Sequence, residues 1–172
     1  IGTGGVGLSA VALLKARGHK NIVAADVSED SLKNAEAAGA TATVLTTGED
    51  PSGDIVKAGG GKLASAIDFV NNGVTSSTAL GALGTGGKLV SVGLFGGQLQ
   101  FPTALVALQQ LKIEGNFVGS LPGLKELVEL AKSTDLPQLP IVEKPLEADE
   151  VNAALKAIEE RTVSGRTVLV AG

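Results

Sequence analysis

The 172 residues, 44% hydrophobic and only 2% aromatic, suffice for one domain, or for one domain and part of a second, with a core of Val, Leu, Ile and Ala. The net charge of −4 argues against nucleic-acid binding, and the lack of cysteine together with a single histidine excludes disulfides and cysteine-ligated or multi-histidine metal sites within these residues. No apolar run approaches the roughly 18 residues that span a bilayer and no signal peptide is recognisable, so we expect no membrane partner and a cytoplasmic location.

Apolar periodicity predicts helices and strands that alternate along the chain. Helical spacing and short apolar runs predict helices at 6–17, 29–38, 75–83, 105–111, 124–131 and 151–158, and strands at 21–26, 42–45, 63–70, 88–92, 112–118 and 166–170. Residues 46–61 hold at most one weak helix, 84–87 form a turn and 93–97 a flexible loop. This alternation predicts an α/β fold of the Rossmann type, a doubly wound parallel sheet with helices on both faces.

Glycines at the beginning of the chain match the G-x-G-x-x-G pattern of dinucleotide-binding loops. Gly2 permits a tight turn, Gly4 lets the backbone approach a pyrophosphate, and Gly7 lets the following helix pack on a strand. The N–H groups and the positive dipole end of that helix would face the phosphates. Because the chain is rich in glycine, an ordinary strand-to-helix turn is the alternative interpretation.

An acidic residue stands where such a loop needs one. Asp26 ends the predicted strand 21–26, about 20 residues after Gly7. A carboxylate there accepts hydrogen bonds from ribose hydroxyls and repels a 2′-phosphate, and Glu29 and Asp30 add negative charge nearby. The pattern predicts NAD rather than NADP, the alternative being an acid that only closes a turn.

Seven segments, spread over essentially the whole chain, form a series. They are GTGGVG at 2–7, AAD to AAGA at 24–40, AIDFV at 66–70, GGKLVSVG at 86–93, IEGNFVGS at 113–120, VNAAL at 151–155 and GRTVLV at 165–170. Their order and spacing resemble the zinc-type alcohol dehydrogenases of the medium-chain dehydrogenase/reductase superfamily. The family often has a basic residue a few positions after the acid, whereas this chain has Ser31 near that place, and the first lysine after Asp26 is Lys33.

The resemblance implies that individual positions hold NAD. Residues of the glycine loop would line the pyrophosphate, an acid would hold the adenosine ribose, and strand ends would edge the adenosine and nicotinamide. A plain surface charge is the alternative for Arg166. In chain order, the implied cofactor residues are Gly2, Thr3, Gly4, Gly5, Val6 and Gly7 at the pyrophosphate, Asp26 at the ribose, Val70 and Asn71 on the adenosine side, Val92, Gly93 and Leu94 along the nicotinamide, Asn116 and Val118 at the carboxamide, and Arg166 at a phosphate.

The resemblance also divides the chain. Residues 1–118 would form the NAD-binding domain, with its first strand reduced to Ile1, and residues 119–172 would be a C-terminal tail from a partial second domain, the catalytic one. In the family a preceding segment supplies the zinc site and the proton relay, so zinc is expected in the full enzyme but not in this chain, and no catalytic residue is assigned. We therefore expect a fragment that binds NAD poorly without the upstream strand.

The implied activity is hydride transfer between NAD and a small-molecule alcohol, aldehyde or ketone, by a homodimer or homotetramer paired through the edge strand 112–118. Two other functions stay open. A zinc-free quinone or enoyl reductase of the same superfamily would usually prefer NADPH, so Asp26 counts against it, and a non-catalytic dinucleotide-binding module fits the lack of an acid–base set here.

His19 is interpreted as a helix C-terminal cation, and Asp68 as a structural acid that satisfies nearby backbone.

Overall fold

Helices and strands alternate in the computed structural model, which describes residues 1–160, 162–163 and 165–171. The α/β fold with parallel strands flanked by helices is confirmed. In chain order the elements are α1 (Gly5–Ala16), β1 (Val23–Asp26), α2 (Glu29–Ala38), β2 (Ala42–Leu45), α3 (Pro51–Ala58), β3 (Leu63–Asp68), α4 (Gly73–Ala82), β4 (Leu83–Ser91), α5 (Thr103–Leu108), β5 (Lys112–Gly115), α6 (Leu121–Ser133), β6 (Ile141–Pro145), α7 (Ala148–Glu159) and β7 (Arg166–Val170).

All strand pairs are parallel, and three sheets result: β1 with β2, β3 with β4 and β5, and β6 with β7. Ile1 and Gly2 lie between the first two sheets. The Ile1 amino group donates to the Ile67 carbonyl (2.7 Å), the Phe69 N–H donates to the Ile1 carbonyl (2.9 Å), and the Gly2 N–H donates to the Ala25 carbonyl (2.8 Å). These bonds align the carboxyl ends of β1 and β3 at one edge of the molecule.

Aliphatic side chains form the core, as the composition predicts. Leu8 and Val11 of α1 pack with residues of β1 and α2, and Leu80 of α4 packs with Leu89 of β4. A cavity of about 520 Å³ adjoins Ile1 between β1 and β3, under α1. In the described part of the chain, no helix combines the length and apolar character needed to cross a bilayer.

Local sequence signals explain which helices have the bounds that the sequence predicts. The helix at 29–38 has the predicted bounds because the Ser28 hydroxyl accepts from the Ser31 N–H (3.3 Å) and Gly39 ends it at φ 111°. The weak helix expected within 46–61 is α3, whose N-cap Asp50 accepts from the Gly53 N–H.

The observed strands differ from the predicted pattern in three places. Residues 84–87 are not a separate turn but an irregularity inside β4, because Leu63 pairs with Leu83 whereas Ser65 pairs with Lys88. The strand predicted at 112–118 ends at Gly115, before Val118 takes a positive φ of 54°. The sequence predicts no strand at 137–145, yet β6 forms at Ile141–Pro145 and pairs in parallel with β7.

Candidate functional site

The glycine loop has the geometry of a close backbone approach. Gly2 has φ 83°, and a Cβ built there would lie 2.7 Å from Cγ2 of Val70. A Cβ at Gly7 would overlap the carbonyl oxygen of Gly2, whereas a Cβ at Gly4 would meet open space. Gly4 is the N-cap of α1 and offers no side-chain acceptor, so the first N–H groups of the helix face outward without a cap. The loop therefore presents backbone N–H donors, and its conformation requires glycine at Gly2 and Gly7.

Asp26 ties this loop to the end of β1. Its Oδ2 accepts from the Thr3 N–H (2.6 Å) and the Thr3 hydroxyl (3.0 Å), and its Oδ1 accepts from the N–H groups of Val27 (2.8 Å) and Ser28 (3.0 Å). A carboxylate has about four acceptor positions, and all four donors come from the chain itself. Only the Thr3 hydroxyl can rotate away to leave a position for another donor.

The charged side chains near Asp26 disfavour binding of a second anion beside it. Lys33, the first basic residue after Asp26, donates to Asp30 at 2.9 Å. This exposed pair lowers the pKa of Asp30, through the hydrogen bond first and the lysine charge second, and raises the pKa of Lys33 for the same reasons. Lys33 is therefore engaged with Asp30 rather than with Asp26.

Asp68 is completely buried at the end of β3. Its Oδ1 accepts from the N–H groups of Val70 (3.0 Å) and Asn71 (2.8 Å), and its Oδ2 accepts from the hydroxyls of Thr75 (2.8 Å) and Ser76 (3.0 Å). The prediction that Asp68 satisfies nearby backbone is confirmed. The hydroxyls of Thr75 and Ser76, which the sequence indicates only as part of a helix start, fix the start of α4 to the end of β3.

The ends of β3 and β4 are joined directly. Asn71, at φ 61°, donates from Nδ2 to the Gly93 carbonyl (2.9 Å), and the N–H groups of Val92 and Gly93 donate to the Asp68 carbonyl (2.9 and 3.0 Å). A Cβ at Gly93 would overlap the backbone of Val70. The structure thus brings together the residues predicted for the adenosine and nicotinamide sides.

The outer side of this cleft is open. The Asn116 N–H donates to the Ser91 carbonyl (2.9 Å), which places it beside the end of β4, and its Nδ2 donates to the Val118 carbonyl (3.2 Å). Val6, Leu94 and Val118 are all more than half exposed. The predicted carboxamide and nicotinamide positions therefore share one accessible edge.

Arg166, at the first position of β7, lies against the glycine loop. A Cβ at Gly5 would lie 2.8 Å from Nε of Arg166 and 2.9 Å from the Gly165 carbonyl. Gly5 is the first residue of α1, so a guanidinium stands at the positive end of a helix dipole. A full positive charge beside the positive end of a helix dipole is unfavourable unless an anion lies near both. This geometry favours the phosphate role over a plain surface charge.

The predicted residues collect at the carboxyl ends of β1, β3, β4 and β5 and at the start of α1, the edge where open parallel sheets bind ligands. Within the described ranges, no group of three or more His, Cys, Asp or Glu side chains is placed to hold a metal ion. The hydroxyl of Thr3, a residue predicted to line a pyrophosphate, donates to Asp26.

Comparison with known proteins gives consistent matches. Residues 5–133 match the family model of the zinc-binding dehydrogenases. The NAD-dependent alcohol dehydrogenase of Sulfurisphaera tokodaii is 33% identical over 168 residues, which are 97% of this chain and 48% of that protein. The structure of the alcohol dehydrogenase of Aeropyrum pernix superposes with a TM-score of 0.87 at 36% identity, over 98% of this chain and 48% of its own. Acetophenone reductase of Geotrichum candidum, solved in complex with NAD, superposes with a TM-score of 0.83 at 26% identity, over 98% of this chain and 46% of its own. The chain spans about half the length of these relatives.

Proposed function

Because a family model covers most of its length, this chain belongs to the zinc-binding dehydrogenase family, and we propose that it binds the dinucleotide in an NAD-dependent alcohol dehydrogenase. The observation that carries the proposal is the position of Arg166 against Gly5 at the start of α1. The guanidinium and the helix N-terminus together form a site for a doubly charged pyrophosphate. The uncapped N–H groups and the open space at Gly4 fit the same ligand.

The acid at the end of β1 supports NAD over NADP. Asp26 is oriented by its bonds to Thr3, Val27 and Ser28, and rotation of the Thr3 hydroxyl frees one acceptor position for a ribose hydroxyl. A 2′-phosphate at that place would meet Asp26 with no cation to balance it, since Lys33 is engaged with Asp30. Like charges brought together at a binding site cost several kcal/mol, by an order-of-magnitude estimate.

The chain's own residues hold and orient the cofactor rather than perform the proton chemistry. When bound, the nicotinamide supplies the hydride acceptor for oxidation of an alcohol to an aldehyde or ketone. Val92, Gly93 and Leu94 would line the ring, and Asn116 and Val118 would hold its carboxamide through backbone groups. With no cysteine and one histidine here, zinc and the proton relay would be supplied by other residues of the whole enzyme.

Titration of the intact protein with NADH and with NADPH, followed by nicotinamide fluorescence, tests the proposal. We expect NADH to bind at least about tenfold more tightly, which corresponds to about 1.4 kcal/mol. Tighter binding of NADPH would contradict the role of Asp26 and would favour the zinc-free reductases of the superfamily. Metal analysis of the same preparation separates the enzymes, because bound zinc excludes the zinc-free class.

Replacing the cation at the glycine loop tests the pyrophosphate site. We expect Arg166→Gln to weaken binding of both NADH and ADP about tenfold, because a charge-assisted hydrogen bond contributes about 1.5–3 kcal/mol. The residual affinity should depend less on ionic strength than that of the unaltered protein. Isothermal titration at two salt concentrations measures both effects.

Arg17→Gln is the matched control, because Arg17 lies at the other end of α1, is exposed and pairs with Glu126 at 3.7 Å. It should leave both affinities unchanged. An Arg166→Gln protein that binds ADP as tightly as the Arg17→Gln protein would show that Arg166 is only a surface charge.

A further inference from the structure

We propose that Asp68 is a positioning residue for the dinucleotide. Acting through Asn71, it fixes the distance between the ends of β3 and β4. The inference rests on the proposed function and adds to it a residue that would not itself touch the cofactor. Its basis is a hydrogen-bonded chain from the buried carboxylate to the Gly93 carbonyl, at the edge of the cleft.

Asp68 holds Asn71 in a conformation that the chain would not choose unaided. Asn71 has φ 61°, in the left-handed region that asparagine tolerates better than most residues. Its N–H donates to Asp68 Oδ1 at 2.8 Å, and the neighbouring Val70 N–H donates to the same oxygen at 3.0 Å. Two bonds to one fully buried oxygen fix the turn that follows β3.

The side-chain amide of Asn71 has only one productive orientation. The Ser76 hydroxyl lies 3.1 Å from Asn71 Oδ1 and 3.0 Å from Asp68 Oδ2, and it can donate to either. With Oδ1 facing this hydroxyl, Nδ2 points to the Gly93 carbonyl, to which it donates at 2.9 Å. The network therefore determines which atom of Asn71 meets β4.

The bridge spans the two halves of the predicted cofactor cleft. Val70 and Asn71 are predicted on the adenosine side, and Val92 and Gly93 along the nicotinamide. Gly93 approaches Val70 so closely that a Cβ would overlap its backbone, and the Asp68 carbonyl accepts from both Val92 and Gly93. Loosening the bridge releases Gly93 and should disturb the nicotinamide side most, because the adenosine side is also held by the glycine loop and Asp26, which keep their own bonds.

The experiment compares NADH with ADP on the intact protein by isothermal titration. Asn71→Gly removes the amide and keeps a residue that accepts positive φ, without exposing the buried carboxylate. We expect it to weaken NADH at least tenfold and ADP less than threefold. Asp68→Ala should give the same selective loss where it folds.

Asp68→Asn is the conservative variant that should restore binding. An amide can donate to Thr75 and Ser76 because their hydroxyls have other acceptors, the Asn72 carbonyl at 3.2 Å and Asn71 Oδ1 at 3.1 Å. We expect both affinities within threefold of the unaltered protein. Asp54→Asn, the same change at an exposed acid of α3, is the control for the chemistry of the substitution.

Equal losses of NADH and ADP binding in Asn71→Gly, or no loss of either, would overturn the positioning role and leave the proposed function standing. A wild-type protein that binds neither NADH nor ADP would overturn the proposed function and this inference with it. The selective loss in Asn71→Gly, with binding retained in Asp68→Asn, is the result that supports it.

Discussion

Gly7→Ala is expected to reduce NADH binding by at least about 100-fold, the largest effect of any single methyl group in this site, corresponding to about 2.7 kcal/mol. A Cβ at Gly7 would overlap the carbonyl oxygen of Gly2, and this neighbour is backbone, which cannot swing aside as a flexible side chain does. The loop would have to open. Opening it pulls Gly2 from the Ala25 carbonyl and Thr3 from Asp26, the bonds that align the loop with β1.

Two further glycine substitutions separate packing from binding. Gly115→Ala, on β5, places a Cβ in open space and should leave stability and affinity unchanged. The Cβ of Gly4→Ala also meets open space, so this variant should fold normally, yet bind NADH more weakly because its methyl group occupies the approach of the pyrophosphate. Thermal denaturation and NADH titration of the three variants measure this. A Gly7→Ala protein with the affinity of Gly115→Ala would refute the close-approach argument.

Local chemistry decided which elements the sequence could predict. The helix at 29–38 carries its own cap and its own terminal glycine, and the strand at 42–45 lies between clear breaks, so both have the predicted bounds. The irregularity at 84–87 depends on where β3 pairs with β4, which is a tertiary fact. β6 follows Pro140, ends at Pro145 and is exposed along its whole length, so neither propensity nor burial marks it as a strand.

The residues of the candidate site also fall into two groups, those that local spacing predicts and those that only the tertiary structure brings together. The spacing of Gly2, Gly7 and Asp26 is local enough for the sequence to predict, because one helix and one strand separate them. The bond from Asn71 to Gly93 depends on the parallel pairing of β3 with β4, and the contact of Arg166 with Gly5 joins opposite ends of the chain. Family resemblance pointed to these residues, but only the fold supplies the physical reason for their roles.

The two buried or half-buried acids should respond differently to the same substitution. Around Asp26, three of the four donors are backbone N–H groups, which cannot reverse, and they face both oxygens. In Asp26→Asn, the side-chain NH₂ would therefore face a backbone N–H in either orientation of the amide, and that N–H would lose its acceptor. Around Asp68 the Oδ2 partners are two hydroxyls, which can reverse.

Asp26→Asn should therefore lower stability by about 1–3 kcal/mol, the cost of an unsatisfied donor, whereas Asp68→Asn should cost less. Urea denaturation of the intact protein compares the two variants directly. Equal losses at the two sites would contradict this account of their hydrogen bonds.

Asp26→Asn should also change cofactor preference, and here the expected effect is large. The variant loses the charged acceptor for the ribose hydroxyl, which contributes about 1.5–3 kcal/mol, so NADH affinity should fall between about tenfold and 100-fold. NADPH has a phosphate in place of the 2′-hydroxyl, so it loses no bond at that position and is relieved of the repulsion between Asp26 and the phosphate, and its affinity should rise. The ratio of the two dissociation constants should thus move towards NADPH by about 100-fold or more, as measured by parallel fluorescence titrations.

Glu29→Gln is the control, because it removes an equal charge from the first turn of α2 but leaves the four bonds of Asp26 and the pair between Lys33 and Asp30 intact. Glu29 is exposed and its charge is screened by water, so Glu29→Gln should change the ratio less than threefold. If Glu29→Gln shifted the preference as far as Asp26→Asn, general charge rather than contact at the ribose would determine the choice of cofactor.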